Sequence, residues 1–141
     1  MEGWAVNKVL VMSIKPEYAA KIYDGTKEFE FRKVPPRNLD ALYLIYESAP
    51  VSKLTGSVGF CGTLTFRAKA MVRAIRGLLC VSERQAIKMM GISEKALIEY
   101  AGGPDEFVTG LFINRAFRDA SYEKFRIRPP QNWGTIKAAL E

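Results

Sequence analysis

The hydrophobic pattern of the chain opens with a short apolar run, Val9 to Ile14, that stops at a proline. Such a run, too short for a helix and ended by a helix-start signal, predicts a buried strand followed by a helix with Pro16 in its first turn. Ala19, Ile22 and Tyr23 recur at helical spacing and form that helix's core face, and Gly25 supplies its stop. The pattern then changes period. From Glu28 to Arg32 charged and aromatic residues alternate, placing Glu28, Glu30 and Arg32 on one strand face and Phe29 and Phe31 on the other. Val34-Pro35-Pro36-Arg37 is a rigid loop, because two prolines remove two ladder donors.

Leu42 to Tyr46 predicts a strand buried on both sides, with Leu42, Leu44 and Tyr46 opposite Tyr43 and Ile45. Thr55 to Gly62 predicts a strand coiled by Gly56, Gly59 and Gly62, and alternation then carries a strand to about Ala70, with a short helical or irregular piece beyond it. Ser82-Glu83-Arg84-Gln85 is a capping box for a helix from Glu83 to about Met90, stopped by Gly91. Ser93 caps a second helix, Glu94 to Ala101, ended by Gly102-Gly103-Pro104. Phe107 to Asn114 reads as strand, 115–124 as turn and short helix, and Trp133 to Lys137 as a closing strand. No repeat, low-complexity tract or linker divides the chain, so one domain is expected over residues 1–141, with a helical excursion at about 82–103.

Composition narrows the chemistry. With 141 residues and 48% hydrophobic content the chain can bury one sizeable core. Its apolar runs fall far short of the ~20 residues of a membrane span, and no basic stretch precedes an apolar one at the N-terminus. Two cysteines, Cys61 and Cys80, make neither a disulfide framework nor a four-cysteine zinc site. A reduced, cytoplasmic setting without membrane association is expected. Histidine is absent, which removes Ser-His and Cys-His catalysis, paired-histidine ribonuclease chemistry and imidazole metal sites. No metal or cofactor is expected. The net charge of +6 points to a polyanionic partner.

Gly25, Lys27, Glu30 and Arg32 carry the candidate chemistry. A lysine just beyond a capped helix can grip a phosphate or, if desolvated, lose its proton and act as base or nucleophile. Glu30 can orient it, and Arg32 can pair with Glu30 or with a phosphate. The alternative is an ordinary structural ion pair between strands. A second set, Arg67, Lys69, Arg73, Arg76 and Arg128, makes a candidate nucleic-acid surface, with Phe112, Phe117, Tyr122 and Trp133 as stacking candidates. In sequence, the run Arg67 to Arg76 has no acidic neighbour.

The spacing Gly25, Lys27, Glu30, Arg32 resembles the G-x-K-x-x-E-x-R signature of the ASCH domain, a family of small β-barrels related to the RNA-binding PUA domains. Ser13 to Ile22, Ala41 to Pro50 and Pro129-Pro130-Gln131 are also similar, while residues 67 to 105 depart most. The resemblance implies an α+β fold, a small PUA-like barrel of about five to seven strands with peripheral helices. It implies a nucleic-acid ligand, single-stranded or structured RNA above all, in a basic cleft beside the motif, and a role in RNA metabolism or transcription-linked regulation. It also matches Tyr46 and Lys53 to a family tyrosine and lysine, which gives Lys15, Lys27, Glu30, Arg32, Tyr46 and Lys53 as the ligand-binding set. Some ASCH-like proteins resemble metal-independent hydrolases, either ribonucleases or amidohydrolases acting on modified cytidine with a lysine at the place of Lys27. On that alternative Lys27 and Glu30 are catalytic, although the amidohydrolases carry a threonine where this chain has Glu30. A third reading makes 82–103 a docking site for a protein partner.

Overall fold

A strand with apolar residues on both faces needs cover on both, and β3 (Leu42–Glu47) receives it. Tyr43 and Ile45 enter one cluster with Met12, Ile14, Ala19, Ile22, Val58 and Phe60, whereas Leu44 and Tyr46 enter another with Val11 and Leu54. The computed structural model describes residues 9–125 and 133–135. Its other strands are β1 (Val9–Ile14), β2 (Phe29–Arg32), β4 (Lys53–Arg67), β5 (Phe107–Arg118) and β6 (Trp133–Thr135). They form one sheet in the order β2-β5-β4-β3-β1-β6. The β1 and β3 pair is parallel, connected through α1 (Pro16–Tyr23) and β2, and the remaining pairs are antiparallel. Helices α2 (Met71–Leu79), α3 (Glu83–Met90) and α4 (Glu94–Ala101) are inserted between β4 and β5.

The α+β architecture is as the sequence implies, but the sheet is not a closed barrel. β2 and β6 end the ladder, and no pairing joins them among the described residues. The sheet nevertheless curls back on itself. Arg32 of β2 donates from Nη2 to the Ser13 carbonyl of β1 at 2.8 Å, although β5, β4 and β3 intervene in the ladder. A side chain thus spans the seam that backbone pairing leaves open. The coiling that permits this arises in β4, where the register with β5 shifts between Gly59 and Phe60 and again between Phe60 and Gly62. At Gly56 a Cβ would run into the Phe117 carbonyl and the Tyr23 hydroxyl, so only glycine lets the two long strands and α1 meet there.

The larger differences from the sequence reading lie at the ends of the two long strands. β4 is one continuous strand of 15 residues that ends at Arg67 rather than Ala70; a 3-10 turn (Ala68–Ala70) leads into α2, whose Met71, Val72 and Ile75 are buried. The alternation of Ala68, Ala70 and Val72 suits a strand, but Met71, Val72 and Ile75 also match helical spacing, and packing against α3 decides for the helix. β5 continues to Arg118, four residues past the expected end, because its partner β4 is long enough to pair it throughout. The short helix follows at Ala120–Lys124 as a 3-10 turn. Both expected caps form: the Ser82 hydroxyl accepts from the Gln85 N–H and that of Ser93 from the Ala96 N–H, each at 3.1 Å. Among the described residues no helix is long and apolar enough to cross a membrane.

Candidate functional site

The turn after α1 aims Lys27 inward. Helix α1 stops at Tyr23; Asp24 accepts from both the N–H (2.8 Å) and the hydroxyl (2.6 Å) of Thr26, and Gly25 takes φ +86°, the left-handed conformation that favours glycine. The Lys27 N–H then donates to the Lys21 carbonyl at 3.0 Å, closing the turn. The next amide, Glu28 N–H, donates to the Met89 carbonyl at 2.7 Å and joins the turn to the end of α3. Lys27 is consequently 3% exposed. Its Nζ donates to the Met90 carbonyl at 2.6 Å, lies 4.0 Å from Glu30 Oε1, and sits over the rings of Tyr18 and Phe31 at 5.3 and 5.2 Å.

Gly91 makes room for this arrangement. It caps α3 at φ +68°, and a Cβ on it would lie 2.5 to 2.7 Å from the Lys27 stem. The Gly91 carbonyl accepts from Lys21 Nζ at 3.3 Å, so two lysines reach the C-terminal end of α3, where helix carbonyls lack partners.

The alternation of β2 puts Glu30 beside Arg32. Arg32 Nη2 donates to Glu30 Oε2 at 2.7 Å while also holding Ser13, and the two side chains are 13% and 10% exposed. Burial pushes the Lys27 ammonium from its ordinary pKa of 10.5 down to about 8; Glu30 opposes this, and Lys21 and Arg32 add to it. Desolvation outweighs the carboxylate because Glu30 is 4.0 Å from Lys27 and already bound tightly to Arg32.

Above this row opens a cleft of ≈ 460 Å³. Ser13 and Ile14 of β1, Lys15 and Tyr18 at the start of α1, and Lys27, Glu30, Phe31 and Arg32 line one side, and Ile92, Ala96, Glu99 and Tyr100 line the other. Lys27 also borders a smaller hollow of ≈ 250 Å³ with Tyr23, Glu28 and Asn114. Among the described residues no three carboxylate or thiol side chains gather as metal ligands would.

Four of the six expected ligand-binding residues, Lys15, Lys27, Glu30 and Arg32, are therefore brought to one cleft. The other two lie elsewhere. Tyr46 is buried with Val11, Leu44 and Leu54, and Lys53 is paired with Glu123 at 3.7 Å. The second basic set is exposed and outside the cleft: Lys69 pairs with Asp105 at 2.6 Å, Arg67 lies over Phe107 at 5.2 Å, and Arg73 and Arg76 stand on the outer face of α2. The run without an acidic neighbour in sequence thus gains one in space. Arg128 and Pro129-Pro130-Gln131 lie outside the described residues.

The residues that sequence reasoning missed are the far wall. Ala96, Glu99 and Tyr100 follow at i, i+3 and i+4 and share a helix face apart from the buried Leu97 and Ala101. That spacing was a signal for a common face, but not for what the face meets.

No family model matches the chain, and no curated protein does. Solved structures do. The ASCH protein of Zymomonas mobilis superposes with a TM-score of 0.67 at 23% identity, covering 94% of this chain and 91% of that one. Two variants of that protein, one serine-to-alanine and one tyrosine-to-phenylalanine, superpose with TM-scores of 0.69 and 0.64 at 22% and 23% identity. The first of them covers 95% of this chain and 92% of its own. Over nearly its whole length, then, the chain has the ASCH-domain fold.

Proposed function

We propose that this protein binds RNA, seating one nucleotide in the cleft with a phosphate toward Lys15, Lys27 and Arg32. The observation that carries the reading is the charge balance at the base of the cleft. Among the described residues Lys27 and Arg32 are two cations ion-paired to the same carboxylate, Glu30, where water is largely excluded. A desolvated site with one surplus positive charge is completed by an anion, and the hydrogen bonds it would make are of the strong, charge-assisted kind. The volume fits a ligand of nucleotide size rather than a length of strand. The ASCH fold is broadly that of nucleic-acid-binding domains, which agrees with the net charge of +6.

The test is titration of a labelled single-stranded RNA across a salt series. One phosphate held in the cleft gives a slope of log affinity against log salt of only about −0.7; three to five neutralised phosphates give roughly −2 to −3.5, which requires exposed cations such as Arg67, Arg73 and Arg76 as well. Absence of binding at low salt overturns the reading.

One observation favours a second reading, a metal-independent hydrolase of RNA or of a modified nucleoside. With its pKa near 8, Lys27 is neutral in about one molecule in ten at pH 7 and can take up a proton beside Glu30. On that reading activity survives chelator and is lost in Lys27→Ala, and activity retained in the variant removes it. The inserted helices offer less to a protein partner, since Ala86, Met89, Met90, Leu97 and Ala101 turn their apolar faces into the domain.

A further inference from the structure

The cleft contains two carboxylates in different circumstances. Glu30 is committed to Arg32 and Lys27. Glu99, on the opposite wall, has no ion pair among the described residues and faces the same space. Beside it in sequence, Tyr100 lines the cleft and is 39% exposed. The ammonium of Lys33, the residue after β2, lies 5.7 Å from the ring centroid, so the ring is packed against the strand end. One wall therefore offers cations, and the other an acceptor without an ion pair next to a partly exposed aromatic.

We propose, resting on the nucleotide reading above, that α4 is the base-reading wall and that Glu99 selects guanine, with Tyr100 as its stacking surface. An ionised carboxylate only accepts hydrogen bonds, at two oxygens side by side. Guanine alone among the four common bases presents two adjacent donors, the ring N1–H and the exocyclic amine, that match both oxygens at once. Cytosine and adenine each place an acceptor nitrogen beside their amine, and uracil flanks its single N–H with two carbonyls, so each sets a lone pair against the carboxylate. Planar bases stack on aromatic side chains without distinction of sequence. The face contact from Tyr100 thus supplies affinity, and the edge contact from Glu99 supplies choice.

The experiment is calorimetric titration of the full chain with GMP, AMP, CMP and UMP, repeated with Glu99→Gln and Tyr100→Leu. Both residues are exposed side chains on a helix whose packing rests on Leu97 and Ala101, so the variants keep the fold. GMP is expected to bind about tenfold more tightly than the other three, a bidentate contact being worth that much or more. Glu99→Gln should erase this preference or turn it toward the other bases, because a single carboxamide oxygen cannot satisfy both guanine donors while its amide N–H meets the lone pair that adenine, cytosine and uracil set beside theirs. Tyr100→Leu should weaken all four alike. Four equal affinities, unaltered by Glu99→Gln, overturn the base-reading proposal and leave the nucleotide cleft standing. Preference for another base overturns it too. Failure of every nucleotide and of the RNA to bind overturns both readings.

Discussion

At the scale of single residues, Lys27 is the most perturbed group of the site, and its perturbation sets a pH dependence. Its pKa falls from 10.5 to about 8 in the folded protein. Between these values the unfolded chain still holds a proton that the folded one has released, so this group's contribution to stability rises with pH across the window and its penalty is fully present below it. The shift corresponds to about 3 kcal/mol. Denaturant unfolding of the protein and of Lys27→Met at about pH 7.5 and about pH 10 should show the difference between them moving in favour of the unsubstituted protein as pH rises. Tyr23, raised to about 12 by burial, stabilises the fold below pH 10 and loses that contribution above it, but equally in both proteins, so it cancels. A difference independent of pH would mean that Lys27 stays charged throughout. Gly91→Ala tests the same residue by steric means. A Cβ at φ +68° and against the Lys27 stem should cost about 2 kcal/mol or more in thermal melts and weaken RNA binding with it.

The sequence shows why Lys27 could be singled out and Glu99 could not. The turn chemistry around Lys27 is local: Gly25, Thr26 and the alternation of β2 are all written within eight residues. Its burial depends on Gly91, more than sixty positions on, and no local pattern announces that contact. The surroundings of Tyr46 are not local either, since alternation in β3 gives its face but not what that face packs against.

At the scale of elements, the strands and helices were readable where one period dominates, and boundaries failed where two coexist or where a partner strand extends the pairing, as in 68–79 and 115–118. The decisive inter-element contact is the one Arg32 makes. It ties β2 to β1 across an unpaired seam and neutralises Glu30. Arg32→Met should therefore cost roughly 3 kcal/mol, because it leaves a carboxylate buried, while Glu30→Gln with Arg32→Met should cost clearly less. Equal losses in the single and double variants, measured by urea unfolding, would show that the pair contributes little. Both variants should also bind RNA at least tenfold more weakly at a temperature where they remain folded.

At the scale of the whole molecule, a curled sheet spanned at its seam by a side chain and walled by an inserted helix has its site where two sequence-distant pieces converge: the stretch from the end of β1 to β2, and α4 with the residue Ile92 before it. Loss of an end of the inserted helix should then be felt at the site. Ser93→Ala removes the α4 cap, costing about 1 kcal/mol, and a helix that frays from that end carries Ala96 and Glu99 away from the cleft. Weaker nucleotide binding with a melting temperature lowered by only about 3 to 4 °C is the expected result.

The hydrogen bond from the Glu28 amide to the Met89 carbonyl makes this convergence visible to isotope exchange. Glu28 precedes the first residue of β2, so its proton is protected by the docking of α3 and not by the strand ladder. In deuterium oxide the Glu28 amide should slow when a nucleotide fills the cleft and quicken in Gly91→Ala, while amides in the centre of β3 keep their rates, and one backbone proton then clocks the opening of the site apart from unfolding of the sheet.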